Sequence, residues 1–128
     1  MKITLTNGVE FTILVYLDGK LWDLDSGEGW PAVTGPYGKG PAPVGRYQIH
    51  PAVAISTKPK KNKSFTDSEG LAWFAKLEPL FETERTSLGI HPDGGVPGTE
   101  GCIGIKGSTK GLFDLLAKAK NVTLFVLT

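Results

Sequence analysis

The chain is built from short apolar runs punctuated by turn residues. Apolar and β-branched side chains recur through residues 2–5, 11–17 and 20–24, with turn signals at Asn7-Gly8 and Asp18-Gly19 between them. This is the pattern of consecutive antiparallel strands. β character resumes at 46–49 and 53–56, around Pro51. At 71–80, Trp73, Ala75 and Leu77 alternate with Lys76 and Glu78 and the run ends at Pro79, a period of two that favours a strand. Residues 87–91 and 102–106 are two further short strands flanking a glycine-rich loop. Residues 122–127 are so uniformly apolar that they predict an internal strand. Only within 108–120 does the period change: Leu112, Leu115, Leu116 and Ala119 fall at i, i+3, i+4 and i+7, on one face of a helix. Residues 26–44 carry Gly27, Gly29, Gly35, Gly38 and Gly40 with Pro31, Pro36, Pro41 and Pro43, and are expected to be mostly loop. The fold class that follows is mainly β, a β-rich α+β domain with one helix in its C-terminal half.

Composition narrows this picture. A chain of 128 residues with 40% hydrophobic content supports one core and not two, so residues 1–128 are read as a single domain. Fourteen basic and 13 acidic residues leave a net charge of +1, which provides no strong positive field for a phosphate backbone; nucleic acid is excluded as an expected partner. The cluster Lys58, Lys60, Lys61 and Lys63 reads as a solvated loop. The first residues are interrupted by polar side chains and lack the apolar run of a secretory leader. No stretch reaches the roughly 18 to 20 apolar residues of a membrane-spanning helix. The expectation is therefore a soluble protein made in the cytoplasm.

A single cysteine, Cys102, cannot close an intramolecular disulfide, so the thiol requires its own explanation. Eleven positions upstream stands His91, and the intervening residues include four glycines and two prolines. Such a loop is built to bend back and bring the two side chains together. An unperturbed thiol is only about 3% ionised at neutral pH, so an adjacent imidazole that accepts its proton increases the supply of nucleophile. Gly101 allows close approach of substrate backbone and leaves amides free to face an oxyanion. Thr99 and Asp93 are both candidates to orient His91 by a hydrogen bond. The structural alternative for the same residues is a buried thiol and a turn histidine. One cysteine and two histidines, with His50 distant and read as structural, match no usual zinc spacing, so neither metal nor other cofactor is expected.

Residues 91–105 resemble the signature of the L,D-transpeptidase catalytic domain family, a histidine followed by a glycine-rich loop ending in Ser/Thr, a variable residue, Gly, Cys and an aliphatic. The matching residues are His91, Thr99, Glu100, Gly101, Cys102 and Ile103. Residues 38–49, with their Gly-x-Tyr-x-Ile strand, and the 73–79 and 85–91 segments resemble the short members found among type VI secretion effectors and phage-associated proteins. The resemblance implies a small β-sandwich or barrel, with Cys102 as acylated nucleophile, His91 as general base and amides near Gly101 and Cys102 as oxyanion donors. It implies a cysteine-dependent peptidoglycan enzyme acting on tetrapeptide stems, as L,D-carboxypeptidase or as L,D-transpeptidase by D-amino-acid exchange. The implied partners are peptidoglycan stem peptides and an immunity protein or a secretion or phage component. The implied place of action is the periplasm or cell wall after delivery by another route. Many cross-linking members carry a second histidine just before Gly-Cys and an arginine two residues after the cysteine; here those positions are Glu100 and Gly104. Arg85 is the candidate to supply the missing fork-shaped donor for a carboxylate. The competing reading is a non-catalytic structural or cell-wall-binding module that retains the fold.

Overall fold

Leu14 and Tyr16, Trp73, Ala75 and Leu77, and Val122, Leu124 and Val126 are all buried, alternating with more exposed neighbours as the pleat of a strand requires. They lie on three strands of one sheet. The computed structural model describes residues 2–95 and 97–128. Its elements are β1 (Lys2–Thr4), β2 (Glu10–Leu17), β3 (Lys20–Asp23), β4 (Gly29–Thr34), β5 (Gly45–Ile49), β6 (Val53–Ala54), a 3₁₀ turn (Lys60–Phe65), β7 (Trp73–Pro79), β8 (Gly89–Pro92), β9 (Ile103–Ile105), α1 (Lys110–Lys118) and β10 (Val122–Val126).

The strands run β2-β10-β5-β7-β8-β9-β4-β3, and β3 pairs back onto β2, so the sheet closes into a barrel-like wall with few free edges. β1 and β3 share one edge of β2, β1 at residues 10–12 and β3 at 14–17. Most ladders are antiparallel. Two are parallel: β10 on β2, and β9 on β8. The inward side chains form one core with Leu112 and Leu116 of α1, and each such buried aliphatic stabilises the fold by about 1.5–3 kcal/mol. The chain is mostly β with a single α-helix among the described residues, as the periodicity predicts. The final strand is internal, between β2 and β5.

Residues 26–44 differ from their expected loop, since β4 occupies 29–34. Trp30 and Ala32 point inward and are buried, while Pro31 is exposed. The ladder never calls on the N–H that proline lacks: Ala32 N–H donates to Gly19 O at 2.9 Å, and Pro31 O accepts from Lys106 N–H at 2.9 Å. Proline is thus tolerated in a strand that closes the barrel. The 53–56 strand shortens to β6, which pairs only at the start of β7.

Beneath the 3₁₀ turn, Asp67 organises a buried polar cluster. Its Oδ2 accepts from Thr109 Oγ1 at 2.7 Å and Thr109 N–H at 3.0 Å, and Oδ1 accepts from the amides of Glu69 and Leu71, each at 2.9 Å. Trp73 Nε1–H donates to Thr109 Oγ1 at 2.9 Å. The start of α1 and the turn before β7 are thereby tied at one carboxylate, and the start of β7 joins them through the Thr109 hydroxyl.

Candidate active site

β8 and β9 lie side by side in parallel, with Ile90 opposite Ile103 and His91 opposite Gly104. Ile90 and Ile103 are fully buried in the core. Alternation then puts His91, Gly104 and, one position before β9, Cys102 on the other face. Because the strands are parallel, Cys102 comes level with Gly89, two residues before His91, and the two functional side chains are diagonal neighbours on one face. The loop between them must carry the chain back along β8. It is fastened by Asp93 N–H to Ile105 O (2.8 Å), Gly94 N–H to Ser64 O (3.0 Å) and Thr99 N–H to Gly35 O (2.9 Å).

His91 is 4% exposed. Extending the antiparallel register of Ala75 with Ile90 places Phe74 across from it, and the two rings stack at 6.1 Å and 15°. Phe65, the last residue of the 3₁₀ turn, meets the imidazole edge to face at 4.3 Å. Nδ1 lies 2.7 Å from Pro92 O. A carbonyl can only accept, so Nδ1 carries the hydrogen and Nε2 is left as the basic atom. Burial pushes the His91 pKa below its ordinary value, and the Pro92 carbonyl and the Asp93 charge offset this only in part. The resting imidazole is neutral at physiological pH.

Cys102 is half-buried and free. Its thiol donates to Ser87 O at 3.6 Å. Burial pushes its pKa up; the Gly89 amide and the Arg85 charge lower it, and the Glu100 charge raises it. The resting pair is thus a thiol and a neutral imidazole. Both side chains line one open pocket of about 570 Å³, together with Tyr37, Phe65, Phe74 and Glu100. A larger hollow of about 710 Å³, between the Gly8–Val9 turn and the exposed face of α1, collects neither of them.

The remaining sequence candidates surround this pocket. Thr99 is buried; its Oγ1 donates to Cys102 O and accepts from Gly35 N–H at 3.0 Å and Gly101 N–H at 3.3 Å. One hydroxyl therefore fixes peptide groups on both sides of the cysteine. Asp93 Oδ2 accepts from Gly98 N–H at 3.3 Å, closing the loop on itself. The His91 ring donates from Nδ1 to the Pro92 main-chain carbonyl, a partner that side-chain patterns do not announce. Gly101 adopts φ +136°, and a Cβ there would lie 2.2 Å from Arg85 Nη2, so glycine is required. Arg85 turns its guanidinium to main-chain carbonyls. His50 lies apart, 3.4 Å from Glu78. Among the described residues, no group of three or more His, Cys, Asp or Glu is placed to hold a metal ion, and no helix is long and apolar enough to cross a membrane.

Sequence reasoning did not single out Tyr37, Phe65 or Phe74. Phe74 had a signal: with Trp73, Ala75 and Leu77 inward or buried, position 74 must face the other side, where His91 stands. Phe65 had none, because it follows an exposed lysine run and its packing is set by tertiary contacts.

The family model of the L,D-transpeptidase catalytic domain (YkuD) matches residues 8–124. Among solved structures, the fold is similar to that of L,D-transpeptidase 1 of Mycobacterium tuberculosis, with a TM-score of 0.58 and 16% sequence identity over 91% of this chain. The chain spans 59% of that protein's length. No curated protein matches the sequence significantly.

Proposed function

Because the chain belongs to the L,D-transpeptidase catalytic domain family, we propose that it is a cysteine-dependent enzyme acting on the peptide stems of bacterial peptidoglycan. The observation that carries this reading is that His91 and Cys102, from adjacent parallel strands, line one open pocket, with Nδ1 of the imidazole held by Pro92 O. In the proposed reaction the thiol rotates from Ser87 O, Nε2 takes its proton, and the sulfur attacks the carbonyl before the terminal D-alanine of a tetrapeptide. A C–S bond forms as the C–N bond breaks, and the imidazolium returns its proton to the departing amine. The resulting thioester passes its acyl group to water, as a carboxypeptidase, or to an amine, as an exchange reaction or cross-link. The amide of Cys102 is the oxyanion donor adjoining the sulfur, since that of Gly101 already donates to Thr99.

Glu100 and Gly104 stand where many cross-linking relatives carry histidine and arginine, which favours stem trimming or exchange over wall cross-linking. The proposed place of action is the cell wall or periplasm, in the setting of an antibacterial effector or a phage wall enzyme, as the resemblance to short family members suggests. One observation favours the competing reading of a non-catalytic module: burial pushes the resting thiol up, as in an inert cysteine. Incubation of the purified protein with muropeptides decides between them. Mass spectrometry is expected to show loss of D-alanine, or its replacement by an added D-amino acid, and no change with Cys102→Ala. Identical, unchanged muropeptides in both samples would remove the enzymatic reading.

A further inference from the structure

Arg85 approaches the cysteine motif from the segment before β8, and all four of its Nη hydrogens are committed. Nη1 donates to Lys39 O at 3.2 Å and Pro41 O at 3.1 Å; Nη2 donates to Gly40 O at 3.0 Å and Glu100 O at 3.3 Å. Three of these carbonyls belong to the glycine- and proline-rich loop between β4 and β5, whose Tyr37 lines the pocket, and the fourth precedes Gly101 and Cys102. The segment that carries Arg85 contributes Thr86, Ser87 and Leu88 to the same pocket. One planar cation thus gathers three separate walls. Gly101 makes room for it, since any side chain there would collide with Nη2.

We propose that Arg85 is the positioning residue of the cysteine motif: its guanidinium locks the 39–41 loop and the Glu100 peptide into one geometry and presents a fixed positive charge to Cys102. Carbonyl oxygens are the right partners for such a lock, because they accept from the fork without neutralising its charge. The charged groups acting on the sulfur are Arg85, which favours the thiolate, and Glu100, which opposes it; neutral His91 lines the same pocket. With its Nη hydrogens occupied, the side chain has no free fork for a substrate carboxylate.

This inference takes Cys102 as the nucleophile of the proposed reaction, but its test needs no substrate. The rate of Cys102 alkylation by iodoacetamide, followed by mass spectrometry across pH, is measured for the wild type, Arg85→Met and Arg85→Lys, with thermal unfolding as the check on folding. For a folded R85M the alkylation midpoint is expected to move to higher pH and the rate at pH 7 to fall about three- to tenfold, one pKa unit being tenfold in thiolate. Should R85M fail to fold, R85K decides. A lysine keeps the charge but has three N–H donors for four carbonyls, and its rate is expected to fall about two- to threefold because the motif loses its fixed geometry. A folded variant that alkylates with wild-type midpoint and rate would overturn the proposal. So would wild-type alkylation accompanied by a raised KM confined to stem peptides with a free terminal carboxylate, the behaviour of a substrate fork. Loss of the muropeptide reaction alone would leave the alkylation result standing.

Discussion

Phe74 and His91 face one another across the β7–β8 ladder, their rings 6.1 Å apart and 15° from parallel. Phe65 packs against the same imidazole at 4.3 Å and against Phe74 at 6.2 Å, so the three rings form one cluster. Together the two phenyl rings exclude water from the imidazole and disfavour its charged form, which is why the His91 pKa is lowered. The acylation rate is therefore expected to rise along an acid limb centred below the ordinary histidine value of 6.5. Phe65→Ala relieves the desolvation, so the His91 pKa rises and the limb moves to higher pH. Stability should fall by about 1–2 kcal/mol for a half-buried ring. The pH dependence of kcat/KM measures the shift, and an acid limb that stays in place would show that Phe65 does not set the basicity of His91.

Gly104 permits the site by having no side chain. A Cβ there would lie 2.8 Å from Asp93 Cβ and 3.1 Å from both Asp93 Cγ and Thr99 Cγ2. Gly104→Ala must push back the loop that both residues anchor, at about 1–3 kcal/mol for overpacking. Activity should fall more steeply than stability, because the displaced residues hold the peptides around Cys102. Urea denaturation and turnover on the same samples would separate the two effects. Wild-type turnover in a folded G104A would mean the loop has slack that the packing denies.

Much of this arrangement is legible in the sequence, and the rest fails for identifiable reasons. The helix at 110–118 follows from Leu112 and Leu116 at i and i+4, and β7 from the alternation of Trp73, Ala75 and Leu77. The glycine-rich loop after His91 does bring Cys102 to the same pocket. What local pattern cannot give is direction: that β8 and β9 run parallel, with Cys102 level with Gly89, depends on a loop clamped by residues distant in the chain. β4 was hidden by its composition, since glycine and proline at 29 and 31 signal loop unless the ladder is known to spare the missing N–H. Pro92 O as the partner of His91 is invisible for a similar reason, being a main-chain atom that any residue would supply.

Thr99 should tolerate serine but not valine. Its hydroxyl serves Gly35 N–H, Gly101 N–H and Cys102 O at a buried position. Thr99→Val keeps the shape and strands all three groups, at about 2–3 kcal/mol given the cost of unsatisfied buried partners. Thr99→Ser retains the oxygen and should stay within about 1 kcal/mol. Equal denaturation midpoints for T99V and T99S would show that the hydroxyl network contributes no net stability.

Asp67 is the residue through which acid should loosen the site from a distance. Burial alone would raise its pKa, but hydrogen bonds from the Thr109 hydroxyl and from the amides of Leu71, Thr109 and Glu69 outweigh this and hold it below the ordinary 3.8. A carboxylate depressed in the folded state stabilises fully above its unfolded value, and that contribution is lost as pH falls through the folded one. Asp67→Asn removes the charge and should cost about 2–3 kcal/mol at pH 7, the scale of charge-assisted hydrogen bonds. The gap between wild type and variant should then shrink as pH drops below about 4, because protonation does to the wild type what the mutation has already done. His91, neutral when folded, lowers the stability of both proteins equally once its unfolded counterpart charges below 6.5, so it cancels from the difference. Urea midpoints at several pH values test the sign directly. A gap that widens in acid would mean that Asp67 is not held ionised by the Thr109 cluster, and that the start of α1 is not coupled through this carboxylate to the 67–71 turn before β7.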